Sequence, residues 1–386
     1  MKIGIPREVQ AGETRVALIP GLIPILIKDK HEVLVEAGAG VGAFFPDTQY
    51  AQAGASLVED ALAFYEQADI ILKVQPPQMH PTTHLSEAEM VREGCAYIGF
   101  LSPFTRLDVI QTFARRKITA FAMEFVPRLT RAQSMDALSS MSTVAGYKAV
   151  LLATEHLGKM FPLLMTAAGT ITPVTVLVLG AGVAGLQAIA TAKRQGARVE
   201  AFDARPAVRE QIQSLGATFI EMELPRNAET ASGYATEQSA EFLKREQEVI
   251  RARFPGVDVV ISTAQVFGKR APLLVTCEMV KSLRPGSVIV DLAAEQGGNC
   301  ELTRAGQTIL YEGVTIVGAT NVPALLPMTA SQLYAHNVVN LFRYLYPATG
   351  LQPESSDALV KGTCVTRNGQ IVHEMLQSLV REEVSG

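Results

Sequence analysis

At 386 residues the chain exceeds what one hydrophobic core supports, so two domains are expected. Hydrophobic residues make up 48% and charged residues 19%, a globular composition tilted toward the burial that parallel α/β sheets require. The formal net charge of −4, with no basic cluster, argues against nucleic acid as a partner; Cys95, Cys277, Cys300 and Cys364 stand far apart without a CxxC, as packed thiols of a reducing compartment do.

The first residues lack the apolar core of a signal peptide and already read as a strand, which points to the cytoplasm. Up to about residue 136 a strand-then-helix rhythm repeats. Strands are expected at residues 2–5, 32–36, 70–74, 96–101 and 119–123, with helical or turn material at 60–66 and 106–115. Such alternation predicts a parallel sheet. No glycine fingerprint accompanies it, so this half is expected to wall a cleft beside a nucleotide-binding half. Residues 127–136, PRLTRAQSMD, form a polar connection before a helix that Ser139 or Ser140 is placed to cap and on which Val144, Tyr147 and Leu151 share a face. A long helix here is expected to cross between the domains.

Residues 160–192 hold no charged residue or histidine and are long enough to span a bilayer. Pro162, Gly169, Pro173 and three further glycines interrupt them, so the stretch reads as a buried strand and a buried helix. Within it a buried-strand pattern at 174–179 runs into Gly180-Ala181-Gly182-Val183-Ala184-Gly185, after which apolar spacing becomes helical. A second strand at 197–202 ends on Asp203, 23 positions beyond Gly180. In this pattern Gly180 permits a tight turn, Gly182 lets backbone N–H groups approach a pyrophosphate, and Gly185 lets the helix pack on its strand; Asp203 suits an adenosine ribose. An acid there repels a 2′-phosphate, which favours NAD over NADP. Arg205 pulls the other way, because arginine accommodates that phosphate in other proteins.

The nucleotide domain continues with strands expected at 218–222, 257–263, 288–292 and 315–319, for a doubly wound sheet in the order 3-2-1-4-5-6. Residues 224–238 break the rhythm with a long polar segment carrying Gly233 and Tyr234, whose ring offers a flat face for adenine or ribose, as a functional lid does. A helix at 331–345, with Leu333, Val338, Leu341 and Leu345 on its apolar face, is expected to return to the first domain. The expected organisation is therefore α/β with two Rossmann-like doubly wound parallel-sheet domains, the first discontinuous: 1–137 plus 325–386, and 138–324. Asp291 and Glu295 fall at a strand's C-terminal end, where ligands of open sheets gather, though Asp291 also suits a cap of the following turn. His31, His80, His84, His156, His336 and His373 are dispersed without neighbouring cysteines or clustered carboxylates, so no metal is expected.

Four stretches, Pro6-Arg-Glu with Gly12-Glu-Thr-Arg15-Val-Ala-Leu18, then residues 128–136, then GAGVAG with Asp203, and residues 290–298, together resemble the alanine dehydrogenase and nicotinamide nucleotide transhydrogenase α-subunit superfamily over essentially the whole chain. Arg15 and Lys73 stand where the dehydrogenases keep a carboxylate-binding Arg and Lys. Their catalytic histidine is replaced in Phe100-Leu101-Ser102, and their catalytic aspartate by Glu295. Serine cannot accept a proton near neutral pH as imidazole can, so amino-acid dehydrogenation is disfavoured. Hydride transfer between two nicotinamides needs orientation and dryness but no acid or base.

The resemblance therefore implies an NAD(H)-binding transhydrogenase component, with Arg128, Gln133 and Asp136 positioning the nicotinamide and no acid–base role. It implies further NAD(H) contacts by Gly180, Ala181, Gly182, Val183, Gly185, Asp203, Ala204, Arg205, Gly233, Tyr234, Ala264 and Gln265. It also implies a homodimer that docks on an NADP(H)-binding domain and on membrane-spanning proton-channel subunits carried by other chains, at the inner face of the cell membrane. An amino-acid dehydrogenase with a re-sited acid–base pair and a catalytically silent NAD sensor are the alternatives.

Overall fold

The computed structural model describes residues 1–222, 240–266, 268–349 and 356–385. The predicted lid with Gly233 and Tyr234 lies outside the described residues. Strands occur at Lys2–Ile5 (β1), Glu32–Glu36 (β2), Ser56–Val58 (β3), Ile70–Leu72 (β4), Ala96–Gly99 (β5), Thr119–Ala122 (β6), Leu164–Thr166 (β7), Gly169–Ile171 (β8), Thr175–Leu179 (β9), Arg198–Phe202 (β10), Thr218–Phe219 (β11), Val259–Ser262 (β12), Val288–Asp291 (β13), Thr308–Tyr311 (β14), Val314–Gly318 (β15), Cys364–Arg367 (β16) and Gln370–Ile371 (β17). The chain divides into two units, Met1–Met141 with Ala324–Gly386, and Ser142–Pro323.

In the first unit the sheet order is β17-β16-β6-β5-β4-β1-β2-β3, parallel from β6 to β3. That is a doubly wound 3-2-1-4-5-6 core, since β4 turns back to the other side of β1. β3 was not expected, because its three residues are mostly exposed and carry no apolar run. Antiparallel β16 and β17 close the far edge from the C-terminal segment. The helix Pro327–Leu345 falls in this unit: Tyr334 donates to the Lys73 carbonyl at 2.7 Å and Ser331 accepts from Val16 N at 3.0 Å. Val338, Leu341 and Leu345 of its expected apolar face are buried, Leu333 is half-buried, and Tyr334, Ala335 and Phe342 complete the packed side.

The second unit's sheet has the order β11-β10-β9-β12-β13-β15-β14, parallel except for β14. The expected 3-2-1-4-5-6 order stands, with a hairpin strand, β14, added at the edge. Val176, Val178, Val199, Val259, Ile261, Val288 and Val290 bury one face under the helix Val183–Arg194, while Leu177, Leu179, Val260 and Ile289 bury the other. Strands buried on both faces read as continuous apolar runs, which is why the sequence displayed them plainly.

Two expectations are corrected here. The uncharged stretch from 160 is not wholly buried strand and helix, because β7 and β8 form a separate antiparallel hairpin with Leu163, Met165 and Ile171 exposed, Met165 at 73%. Apolar composition without a sheet partner does not bury a strand. The helix Ala137–His156 does not pack through Val144, Tyr147 and Leu151: Val144 is buried, but Tyr147 is 41% exposed and the buried face runs through Met141, Ala149, Val150 and Ala153. The small residues face inward because a Cβ on Gly146 would come within 2.1 Å of the Ala184 carbonyl, so backbone approaches backbone there. The division between the units falls within this helix, which thus carries the chain from one to the other.

Candidate functional site

The fingerprint folds as its glycines require. Gly180 ends β9 at φ 91°, in the left-handed region that side chains avoid, and its N–H donates to the Phe202 carbonyl of β10 at 2.8 Å. A Cβ on Gly185 would lie 1.9 Å from the Gly180 carbonyl, so only glycine lets the helix start this close to the turn. Gly182 is the N-cap of Val183–Arg194, exposed and with open space where a side chain would stand. Val183 is exposed beside it. The first N–H groups of a helix lack intrahelical partners and favour an anion, so a pyrophosphate fits this opening.

Asp203, at the end of β10, is buried and held from two sides. Ala181 N donates to its carboxylate at 2.7 Å, and Arg205 reaches it through both backbone and guanidinium. Ala204 lies half-buried between them. After β12, Ala264 is half-buried and Gln265 exposed, the latter donating to the Leu292 carbonyl at 2.8 Å. Asn299 fixes Ala264 by both backbone groups, accepting its N–H at 3.1 Å and donating to its carbonyl at 2.8 Å. Asp291 is a structural residue: fully buried, it accepts from Ala293 N, Asn299 N, Cys300 N and Thr303 Oγ1. Glu295 is exposed and accepts from Asn321 N at 2.9 Å. These groups of the second unit share the C-terminal edge of one sheet, where open α/β sheets bind ligands.

In the first unit the same edge is filled from within. Glu8 accepts from Val74 N, Gln75 N and the fully buried Lys73, whose ammonium also lies 3.3 Å from Glu87. Arg15 pairs with Glu13; burial raises that carboxyl, but the guanidinium and Gln75 together outweigh it and hold it down to about 2. The two cations that stand where the dehydrogenases keep a carboxylate clamp therefore already hold carboxylates of this chain. Ser102 is exposed at φ 47°, and its N–H and that of Leu101 donate to Glu124. Burial pushes the Glu124 carboxyl up to about 7.

Arg128 and Gln133 are exposed on a polar segment that folds as a 3-10 turn, Thr130–Met135. Asp136 follows and is the cap of Ala137–His156: its carboxylate accepts from Ser139 N at 2.9 Å and Ser139 Oγ at 2.6 Å. Ser139, expected as a cap, is thus the capped residue, because a carboxylate at the N-cap reaches the N3 amide directly. Asn337 and Asn340 both donate to the Ser134 carbonyl, and Arg131 pairs with Asp357, which Tyr344 also contacts. Sequence reasoning missed Asn299, Asn337, Asn340 and Asp357. The asparagines of the helix Pro327–Leu345 interrupt an apolar face, which is a usable signal, whereas nothing local marks Asp357.

Among the described residues no His, Cys, Asp and Glu grouping fit for a metal occurs, and no helix is long and apolar enough to cross a membrane.

Two doubly wound sheets, one ending in a formed dinucleotide fingerprint, define a two-unit α/β dinucleotide-binding protein. Residues 4–145 match the N-terminal domain model of alanine dehydrogenase/PNT and residues 149–374 the C-terminal one, and the chain belongs to that family. It is 46% identical to the first part of NAD(P) transhydrogenase subunit alpha of Rhodospirillum rubrum, covering 97% of this chain and 99% of that one. A crystal structure of transhydrogenase from Sinorhizobium meliloti superposes with a TM-score of 0.84 at 39% identity, covering 97% and 100%. Alanine dehydrogenase 2 of Staphylococcus aureus is more distant, 31% identical over 86% of this chain and 83% of its own.

Proposed function

We propose that this chain is the NAD(H)-binding component of a proton-translocating transhydrogenase, in which hydride passes directly between NADH and NADP⁺ held on a partner chain. The observation that carries the reading is Ser102: at the position where the dehydrogenases of the family keep a histidine, this chain presents a hydroxyl, while its dinucleotide fingerprint is intact. Gly180, Ala181, Gly182, Val183 and Gly185 are assigned to the pyrophosphate turn, Asp203, Ala204 and Arg205 to the adenosine ribose, and Ala264 and Gln265 to the edge beside them. Arg128, Gln133 and Asp136 are assigned to nicotinamide orientation, the one contribution that direct hydride transfer asks of a protein that supplies no acid or base. Gly233 and Tyr234 keep their assignment to a lid.

The partners proposed are an NADP(H)-binding domain and membrane-spanning proton-channel subunits on other chains, with this chain a homodimer at the cytoplasmic face of the membrane through them. The decisive assay supplies NADH and a partner domain loaded with NADP⁺. NADPH formation that needs this chain is expected, and reduction of NAD⁺ by L-alanine with this chain alone would overturn the reading. One observation favours a second reading, an amino-acid dehydrogenase: Glu124, with a pKa of about 7, lies against Ser102 N. Its oxygens are held by the Leu101 and Ser102 amides, and the L-alanine arm of the same assay separates the two.

A further inference from the structure

The Asp203 carboxylate is full. Oδ1 accepts from Arg205 N and Arg205 Nε, both at 2.9 Å; Oδ2 accepts from Ala181 N at 2.7 Å and Arg205 Nη2 at 2.9 Å. An ionised carboxylate offers about four lone-pair sites, so four donors leave none for the hydroxyls of a ribose. The local sequence builds this arrangement. Pro206 disfavours the helical region for the residue before it, and Arg205 is extended at φ −91°, ψ 116°. Its N–H then closes an Asx turn onto Asp203, and its guanidinium folds back onto the same carboxylate as a two-pronged donor. The two kinds of donor differ in freedom. Ala181 N is fixed in the fingerprint turn, whereas the Arg205 side chain is 30% exposed against 7% for Asp203 and has solvent to move into.

We infer that Arg205 is a displaceable occupant of the ribose-binding carboxylate, so that NAD(H) engages Asp203 only by moving the guanidinium away. The inference rests on the assignment of Asp203 to NAD(H) and replaces that of Arg205, whose guanidinium then competes with the ribose instead of holding it. Its consequence is a nucleotide held more loosely than the same site would hold it without Arg205, which suits a substrate that enters and leaves in every turnover. An arginine kept there to receive a 2′-phosphate predicts the reverse: its removal weakens NADPH and leaves NADH unchanged.

The test measures dissociation constants of NADH and NADPH by nucleotide fluorescence on the full chain, for wild type, Arg205→Ala, Asp203→Asn and the double variant. Arg205→Ala is expected to tighten NADH by about 10- to 140-fold, the range of one charge-assisted contact, with no loss of NADPH affinity. Asp203→Asn is expected to weaken NADH and to abolish the gain, because Arg205 acts through that carboxylate. Unchanged or weaker NADH binding in Arg205→Ala overturns the inference, as does a gain that persists in the double variant, where no carboxylate remains to be freed. Arg205→Met, which keeps the stem and removes the donors, gives the same reading should the alanine variant fold poorly. A wild type that binds no NADH sinks the site assignment itself, a result distinct from a wild type that binds and a variant that does not tighten.

Discussion

Burial raises the Glu124 carboxyl from its ordinary 4.5 to about 7, against the opposing pull of backbone amides. The sign of the consequence follows from proton linkage. Between those two values the unfolded chain has released the proton and the folded chain still holds it, so folding stability falls as pH rises from 4.5 to about 7 and is level above. Glu124→Gln removes this slope; relative to the variant, wild type should lose stability across that window, read from urea midpoints at about pH 5, 6, 7 and 8. Parallel curves would show that the carboxyl is ionised throughout. Position 102 was marked as altered chemistry by the resemblance to the dehydrogenases, which keep a histidine there. Nothing in the sequence signalled that Glu124 faces that loop, because the contact joins the ends of two neighbouring strands rather than chain neighbours.

Two elements carry predictions of their own. Gly146 lies where a Cβ would meet the Ala184 carbonyl at 2.1 Å, so Gly146→Ala is expected to cost about 1–3 kcal/mol, the usual range for overpacking, in chemical denaturation. An unmoved midpoint would mean the helix stands further off. Asp136 has both a capping role that the structure displays and a proposed role at the nicotinamide, and substitutions separate them. Asparagine caps nearly as well as aspartate, while alanine loses about 1 kcal/mol. Asp136→Asn should therefore leave the melting temperature in place and lower hydride transfer; an unaffected rate would leave Asp136 a cap and nothing more. Element by element, legibility followed burial. β9, β12 and β13 are apolar on both faces and were expected within about two residues at each end, whereas β3, β14 and β17 are sheet-edge strands with mixed patterns that resemble loops.

For the molecule as a whole, the proposed assembly predicts a dimer of this chain, which sedimentation equilibrium at micromolar concentration would report as twice the chain mass; a monomer at every concentration would remove the homodimer from the proposal. What the sequence by itself determined is the dinucleotide fingerprint and the wound order of its sheet, since glycine stereochemistry and strand burial are local properties; the replaced histidine was visible only against the family the chain resembles. Tertiary structure alone decided that the first unit's binding edge is filled by Glu8 and Glu13, that C-terminal strands complete its sheet, and which donors occupy Asp203. Those outcomes depend on which distant groups meet, as when Thr366 donates to the Ile118 carbonyl and Tyr334 to that of Lys73, and no local pattern of apolar and polar residues encodes a partner so far along the chain.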